Sequence, residues 1–186
     1  MKKEYSALNG EKIQCDYVEI DFLGGDAVDL LARYTDGEFI YARKTREVVA
    51  QPVKEGQVVE TKPLATINGQ TCIISETTQV VTDEHVARGD MLVTNPDGEQ
   101  YIVKGPKFQK IYTQVSDGVY KPQGETKAFL TTTTNICFKA SWGEVQFAPK
   151  GSKLCVSDLG DIYSVTDSAF DATYEIVNQP QENENQ

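Results

Sequence analysis

Much of the chain alternates between apolar and polar residues, the pattern of a β-strand with one buried face. Residues 17–22 carry a polar side chain at every second position. Residues 91–94 (Met-Leu-Val-Thr) and 99–103 (Glu-Gln-Tyr-Ile-Val) are joined by Asn-Pro-Asp-Gly. That link suits a turn because proline fixes φ at about −65° and glycine accepts positive φ. The pattern predicts a hairpin here and a second one over 153–156 and 161–165.

The second hairpin belongs to an internal repeat. Residues 89–115 fall on residues 151–177 without a gap when the sequence is shifted by 62 positions. Eight of the 27 pairs are identical, where average composition gives about two. The identical pairs are turn glycines and apolar or aromatic residues: Gly89/Gly151, Leu92/Leu154, Gly98/Gly160, Tyr101/Tyr163, Val103/Val165, Phe108/Phe170, Tyr112/Tyr174 and Val115/Val177. Because a shared fold constrains such positions, the repeat predicts two copies of one structural unit.

A short helix is predicted after each hairpin. Pro106 suits the first turn of one helix, and Thr166-Asp167-Ser168 offers capping oxygens to the amides of the other. Each helix carries a Phe and a Tyr four residues apart, which places both rings on one face: Phe108/Tyr112 and Phe170/Tyr174. We expect these rings to clamp the helix against the sheet. The alternative is a platform on which a ligand stacks.

A weaker third copy lies upstream. Residues 29–38 fall on 90–99 with an offset of 61 and share an Asp-Gly-Glu triplet, so residues 33–39 are a candidate hairpin. The Gly-Gly-Asp turn at 24–26 also predicts a helix over 27–33 with Asp26 as its cap. The fold predicted is mainly β (α+β): tandem small β units, each with a hairpin and a short helix, packed together. The units are 1–60, 61–118 and 119–177, followed by a disordered tail at 178–186.

Composition and net charge argue against several classes of binding partner. The 186 residues carry 18 Lys+Arg against 28 Asp+Glu, a net charge of −10. This balance argues against direct nucleic-acid binding and against anionic membrane surfaces. No apolar run approaches the roughly 18 residues that a spanning helix needs, and no signal peptide is apparent, so we expect a cytoplasmic protein. The four cysteines form no CxxC pair and are expected to be reduced and mostly buried.

The first hairpin carries a family resemblance. Residues 88–103 combine a Gly-Asp step into an apolar strand, a Gly-Glu turn and a second strand, and the pattern closes with Phe108 and Tyr112. This stretch resembles the PGDYG-type domain of bacteria and phages, over about residues 80–115 and more weakly over 142–177. Arg88 replaces the family's Pro, and Met91-Leu92 replace its Tyr-Gly. The resemblance implies a fold and a phage or prophage accessory role, and it assigns no catalytic residue.

Candidate ligand-binding residues fall into three groups. Arg43, Lys44 and Arg46 form the one basic cluster and are suited to contact a phosphate-bearing ligand, or else they are a solvated strand end. His85, the only histidine, lies beside carboxylates just before Arg88 and Asp90. Trp142, the only tryptophan, is expected to anchor either the core or an interface. No catalytic residue, metal ligand or cofactor is predicted.

These features favour a non-catalytic binding protein. Repeated units create grooves, in which we expect a small ligand such as a host nucleotide signal, or a host protein; homo-oligomerisation is left open. Two alternatives remain. The negative charge suits an acidic DNA mimic that inhibits a host nucleic-acid enzyme. His85 with nearby carboxylates suits the general base of a small enzyme.

Overall fold

The computed structural model describes residues 1–177, so the tail predicted to be disordered at 178–186 lies outside the described residues. Strands make up 46% and helices 16% of the structure, and many of the strands form hairpins. The predicted mainly β, α+β class is therefore confirmed. No helix within residues 1–177 is both long and apolar enough to cross a lipid bilayer.

Within residues 1–177, four short helices lie between the strands. They are α1 (Ala27–Tyr34), α2 (Asp83–Arg88), α3 (Gly105–Ile111) and α4 (Asp167–Thr173). The strands are β1 (Lys2–Ala7), β2 (Lys12–Asp16), β3 (Val18–Ile20), β4 (Ile40–Lys44), β5 (Val48–Pro52), β6 (Val58–Thr61), β7 (Leu64–Ile67), β8 (Gln70–Ile73), β9 (Thr77–Val80), β10 (Met91–Thr94), β11 (Gln100–Val103), β12 (Tyr112–Ser116), β13 (Val119–Pro122), β14 (Lys127–Thr131), β15 (Ile136–Lys139), β16 (Val145–Ala148), β17 (Lys153–Cys155), β18 (Tyr163–Val165) and β19 (Tyr174–Ile176).

The helix ends follow local sequence signals. The Asp26 carboxylate accepts hydrogen bonds from the amides of Val28 and Asp29 and so caps α1. Pro106 lies in the first turn of α3, and the Thr166 hydroxyl accepts from the amide of Ala169 at the start of α4, both as predicted. The hairpin expected over 33–39 is wrong, because α1 continues to Tyr34 and the next strand begins only at Ile40.

Two five-stranded sheets contain the predicted hairpins. Sheet I has the order β11-β10-β5-β13-β12, and sheet II has the order β18-β17-β14-β4-β19. The hairpins have the same register after the shift of 62, since Leu92 pairs with Ile102 and Leu154 pairs with Ser164. Each hairpin leads into a helix and then into the strand at the opposite edge of its own sheet.

Two of the three inner strands of each sheet, β5 with β13 and β14 with β4, come from different parts of the chain. β4 and β5 are consecutive, yet β4 joins sheet II and β5 joins sheet I. β13 and β14 are also consecutive, but β13 joins sheet I and β14 joins sheet II. The registers correspond as well: Tyr120 pairs with Val48 in sheet I, and Ala42 pairs with Lys127 in sheet II.

Each sheet thus takes an inner strand from either side of the Ser116–Val119 turn. Sheet I combines strands from all three of the expected units 1–60, 61–118 and 119–177, and sheet II combines strands from the first and third. The division of the chain into those units stays a prediction.

Each of these sheets has a small core of its own. Sheet I packs Val48, Ala50, Val93, Val103 and Phe108 together. Sheet II packs Ala42, Phe129, Cys155, Phe170 and Tyr174 together. A larger core joins α1 to β14, β15 and β17, and a four-stranded sheet, β2-β1-β8-β7, lies on the far side of α4.

Candidate functional site

A groove lies between sheets I and II. It has a volume of about 650 Å³, within the usual range for small-molecule sites. Sheet I contributes residues of β11, α3 and β12 and of the turn before β11, and sheet II contributes the corresponding residues of β18, α4 and β19. The segment Pro122–Glu125, which connects β13 of one sheet to β14 of the other, completes the wall. The groove is therefore built where the two sheets meet.

Four tyrosines line this groove in two corresponding pairs, Tyr101 with Tyr112 and Tyr163 with Tyr174. The Tyr112 ring stacks on Phe108 at 4.6 Å between centroids, and Tyr174 stacks on Phe170 at 5.1 Å. One face of each of these tyrosine rings lies against a phenylalanine ring. The predicted clamp, which holds the helix against the sheet, therefore explains the presence of Phe108 and Phe170. The same tyrosines also reach the groove, so the clamp and the ligand-binding surface share residues.

The phenol groups keep their protons at neutral pH. Burial raises the pKa of Tyr101, Tyr112 and Tyr163, and it raises the pKa of Tyr174 to about 12. The Tyr101 hydroxyl donates to the side-chain oxygen of the buried Asn95 at 3.0 Å. The groove thus presents neutral hydroxyl groups that can both donate and accept hydrogen bonds.

Three lysines line the same groove from three different elements: Lys44 on β4, Lys107 on α3 and Lys127 on β14. The Lys127 ammonium donates to the Tyr163 hydroxyl at 3.0 Å, and the Lys44 ammonium lies 5.7 Å from the centroid of the Tyr174 ring. Burial lowers the pKa of Lys44, and the charges of Lys107 and Lys127 lower it further. Positive charge is therefore concentrated here in a chain of net charge −10.

Glu99 and Glu125 are the carboxylates in the groove lining. Burial and the neighbouring Asp97 raise the pKa of Glu99, and Lys44 opposes that rise. The charge of Glu99 opposes the lowering of the Lys44 pKa as well. Glu99 is thus a partial counter-charge for Lys44, and the groove still has more lysines than carboxylates.

A second, smaller cleft of about 450 Å³ shares part of this wall. Arg43, Thr45, Lys121 and Glu175 line it together with Lys44 and residues 122–124. Gly124 lies so close to β4 that a Cβ built on it would be 2.9 Å from the Lys44 amide nitrogen. The strip formed by Lys44 and Gly124 therefore separates the two depressions.

The basic cluster predicted from sequence is split by the fold. Lys44 lines both the groove and the second cleft, whereas Arg43 lines only the second cleft. Arg46 lines neither; its backbone amide donates to the Thr173 carbonyl at 3.4 Å, and its side chain is exposed.

Arg88 and Asp90 hold the end of the first hairpin to its helix. Arg88 makes two hydrogen bonds to the buried Asp90 carboxylate, at 2.8 and 2.6 Å. Asp90 also accepts from the amide of Gly105, the first residue of α3, at 2.9 Å. Neither Arg88 nor Asp90 lines the groove. Asp90 satisfies an amide at the start of a helix, which is a structural task.

His85 and Trp142 also lie outside the groove lining. His85 Nδ1 accepts from the backbone amide of Thr82 at 2.9 Å, so the ring closes the first turn of α2. The Trp142 side chain is 54% exposed, and its indole nitrogen donates to Glu144 at 2.8 Å. Its exposure fits an interface better than a core, and its ring lies 6.5 Å from that of Tyr163.

Sequence reasoning found the groove tyrosines as repeat positions but missed the two further lysines and Glu99. Lys107 and Lys127 stand among other surface lysines and carry no local signal. Only the meeting of α3 with β14 across two sheets makes them neighbours of Lys44. The sequence signal for this surface is that Tyr101 and Tyr163 are an identical pair of the internal repeat.

All four cysteines are free and buried, and their predicted burial is confirmed. Cys15, Cys72 and Cys137 pack into one core with Tyr5 and Phe147. Across residues 1–177, no three His, Cys, Asp or Glu side chains are grouped in a way that could hold a metal ion.

No protein-family model matches the chain, no curated protein is significantly similar to its sequence, and no solved structure is significantly similar to its fold.

Proposed function

We propose that this chain is a non-catalytic binding protein that holds a small ligand in the groove between sheets I and II. The observation that carries the proposal is a groove of about 650 Å³ lined by four tyrosines at corresponding positions of the two sheets. Rings fixed against Phe108 and Phe170 present their hydroxyls without first having to be ordered. Such preorganisation lowers the entropic cost of binding.

The composition of the groove supports binding over catalysis. Among the described residues that line it there is no histidine and no cysteine. Its phenols are held in their neutral form by raised pKa values, which disfavours the phenolate that a tyrosine base or nucleophile requires. The lysines also favour a small ligand over an acidic DNA mimic, because positive charge collects in the groove.

A screen of small metabolites by two-dimensional NMR tests this function. A metabolite that binds is expected to shift the amide resonances of Tyr101, Tyr112, Tyr163 and Tyr174 before those of other residues. Ala169→Trp, which places a large ring on the α4 side of the groove, is expected to abolish the shifts.

Ala87→Trp on the exposed face of α2 is the matched control and should leave the shifts unchanged. Metabolites that bind only outside the groove, or an Ala169→Trp variant that binds as well as the natural chain, would contradict the proposed function.

A further inference from the structure

The lysines of the groove identify the chemistry of its ligand. Lys44, Lys107 and Lys127 approach one another from β4, α3 and β14, so no short-range feature of the chain requires them to meet. Like charges brought together repel, and partial burial strengthens the repulsion by lowering the effective dielectric constant. This arrangement costs free energy unless an anion is bound.

The protein supplies little of that counter-charge itself. Within residues 1–177, the ion pairs are Lys62–Glu60 and Arg88–Asp90, and neither involves a groove lysine. Glu99 compensates Lys44 in part, from a half-buried position where Asp97 disfavours its charged form. Glu125, the other carboxylate of the lining, forms no ion pair with a groove lysine in the described part of the chain. The groove therefore offers unpaired ammonium groups to a ligand.

The tyrosines add neutral hydrogen-bond donors beside these cations. The Tyr163 hydroxyl already contacts the Lys127 ammonium, so an oxygen that binds one of them lies within reach of the other. A carboxylate has only two oxygens for such donors. A phosphate group has three terminal oxygens and up to two negative charges, which matches several lysines and phenols at once.

Building on the proposed function, we propose that the ligand of the groove is an organic phosphate of nucleotide size, whose phosphate group is bound by Lys44, Lys107 and Lys127. The corresponding tyrosines of the two sheets enclose the remainder of the ligand. The volume of about 650 Å³ leaves room for a base and sugar beside the phosphate group.

Isothermal titration of the full chain with ADP, inorganic pyrophosphate and adenosine tests this inference. We expect ADP to bind at least about tenfold more tightly than adenosine, since a hydrogen bond to a charged group contributes that much affinity or more. Pyrophosphate binding as tightly as ADP would assign the affinity to the phosphates alone, and weaker binding would assign part of it to the nucleoside; both results support the inference.

Lysine variants locate the phosphate group. Lys44→Met and Lys127→Met each replace the charged ammonium group with an unbranched apolar side chain. Each variant is expected to weaken ADP binding about tenfold or more. Lys127→Arg keeps the charge and should retain most of the affinity. Lys54→Met, at an exposed turn, is the matched control and should bind like the natural chain.

Equal affinities for ADP and adenosine, no ADP binding, or Met variants that bind ADP normally would each overturn the phosphate inference. The proposed function would still stand in those cases if an uncharged metabolite shifted the groove tyrosines in the NMR screen. The two proposals therefore fail separately.

Discussion

At the scale of single residues, the cores of sheets I and II place one large and one small side chain on opposite members of the corresponding pair of inner strands. In sheet I, Tyr120 on β13 meets Phe108 edge-on at 4.9 Å, and the corresponding inner position on β5 is Ala50. In sheet II the large ring is Phe129 on β14, 5.3 Å from Phe170, and the small residue is Ala42 on β4. Each helix thus packs against one large ring, which comes from β13 in sheet I and from β14 in sheet II.

This exchange of large and small residues predicts that Ala42 and Phe129 are energetically coupled. Phe129→Ala removes a fully buried ring and should cost about 3–5 kcal/mol of unfolding free energy. Ala42→Tyr alone should overpack the core and cost about 1–3 kcal/mol. The double variant imitates the pairing of sheet I, so its loss should be clearly smaller than the sum. Urea unfolding of the four chains measures the coupling.

Phe39 provides the control for that cycle because it is 58% exposed. Phe39→Ala should lose little stability and should not relieve the cost of Ala42→Tyr. Losses that add within about 0.5 kcal/mol in the Ala42/Phe129 cycle would show that the two positions are independent.

A single glycine sets the distance between β4 and the wall of the groove. A Cβ at residue 124 would lie 2.9 Å from the Lys44 amide nitrogen and 3.0 Å from its carbonyl oxygen, both of them backbone atoms. Gly124→Ala should therefore displace Lys44 and destabilise the fold by about 1–3 kcal/mol. Thermal unfolding tests this, with Gly160→Ala as the control. There the nearest atom is a side-chain oxygen of Asp158 that can move, so an equal loss in both variants would contradict the argument.

At the scale of elements, each hairpin is tied to the helix that follows it. In sheet I the tie is Asp90, whose carboxylate joins Arg88 to the first amide of α3. In sheet II the residue at the corresponding position, Ser152, is also buried, but α4 takes its cap from Thr166 instead. The same element order is therefore stabilised by different local chemistry, which explains why the repeat identity does not include residue 90.

The tie at Asp90 predicts a pH dependence of stability. The hydrogen bond from Arg88 holds the pKa of Asp90 below its usual range. The carboxylate therefore stabilises the fold at pH values above the pKa of Asp in the unfolded chain, about 4. That contribution is lost as the pH falls through the lower pKa of Asp90 in the folded protein. Asp90→Asn should be less stable than the natural chain at pH 7, by about 2 kcal/mol. The difference should shrink below about pH 4.

Urea unfolding from pH 7 down to pH 2.5 measures this difference. Asp117→Asn, at the exposed turn before β13, is the control and should follow the natural chain throughout. A difference between Asp90→Asn and the natural chain that stays constant over the whole range would assign the loss to packing rather than to charge.

The elements that could be predicted are those with short-range causes. The hairpins of β10–β11 and β17–β18, the caps of α1 and α4 and the position of Pro106 all follow from neighbouring residues. The insertion of β5 beside β10 and of β14 beside β17 depends on contacts between distant segments, and alternation within a strand does not specify its partner. Lys107 and Lys127 could not be predicted for the same reason, whereas Lys44 stands out in the sequence as part of the basic cluster.

At the scale of the whole molecule, sheets I and II are interlocked. β4 leaves one half of the chain to pair with β14 in sheet II, and β13 leaves the other half to pair with β5 in sheet I. β4 also pairs with β19, and β13 also pairs with β12, so each crossing strand is hydrogen-bonded on both sides. Without β13, β12 would lose its neighbour in sheet I, and without β4, β19 would lose its neighbour in sheet II. The groove lies between the sheets that this exchange joins.

Interlocking predicts that sheets I and II unfold as one cooperative unit. A defect confined to sheet II should then lower the protection of sheet I, because β4 cannot leave sheet II without pulling on β5. Native-state hydrogen exchange of Phe129→Ala measures this directly. The amides of Leu92 and Val93 in β10 should lose as much opening free energy as those of Leu154 and Cys155 in β17.

Phe39→Ala, at an exposed site just before β4, should change neither set of amides and serves as the control. If Phe129→Ala accelerates exchange in β17 alone, the sheets are independent folding units and the exchange of strands carries no cooperativity. If both sets move together, ligand binding that bridges the groove should protect both sheets equally. Adding a ligand found in the NMR screen to the same exchange measurement checks that consequence, because mass action raises the opening free energy of every segment that unfolds with the binding site.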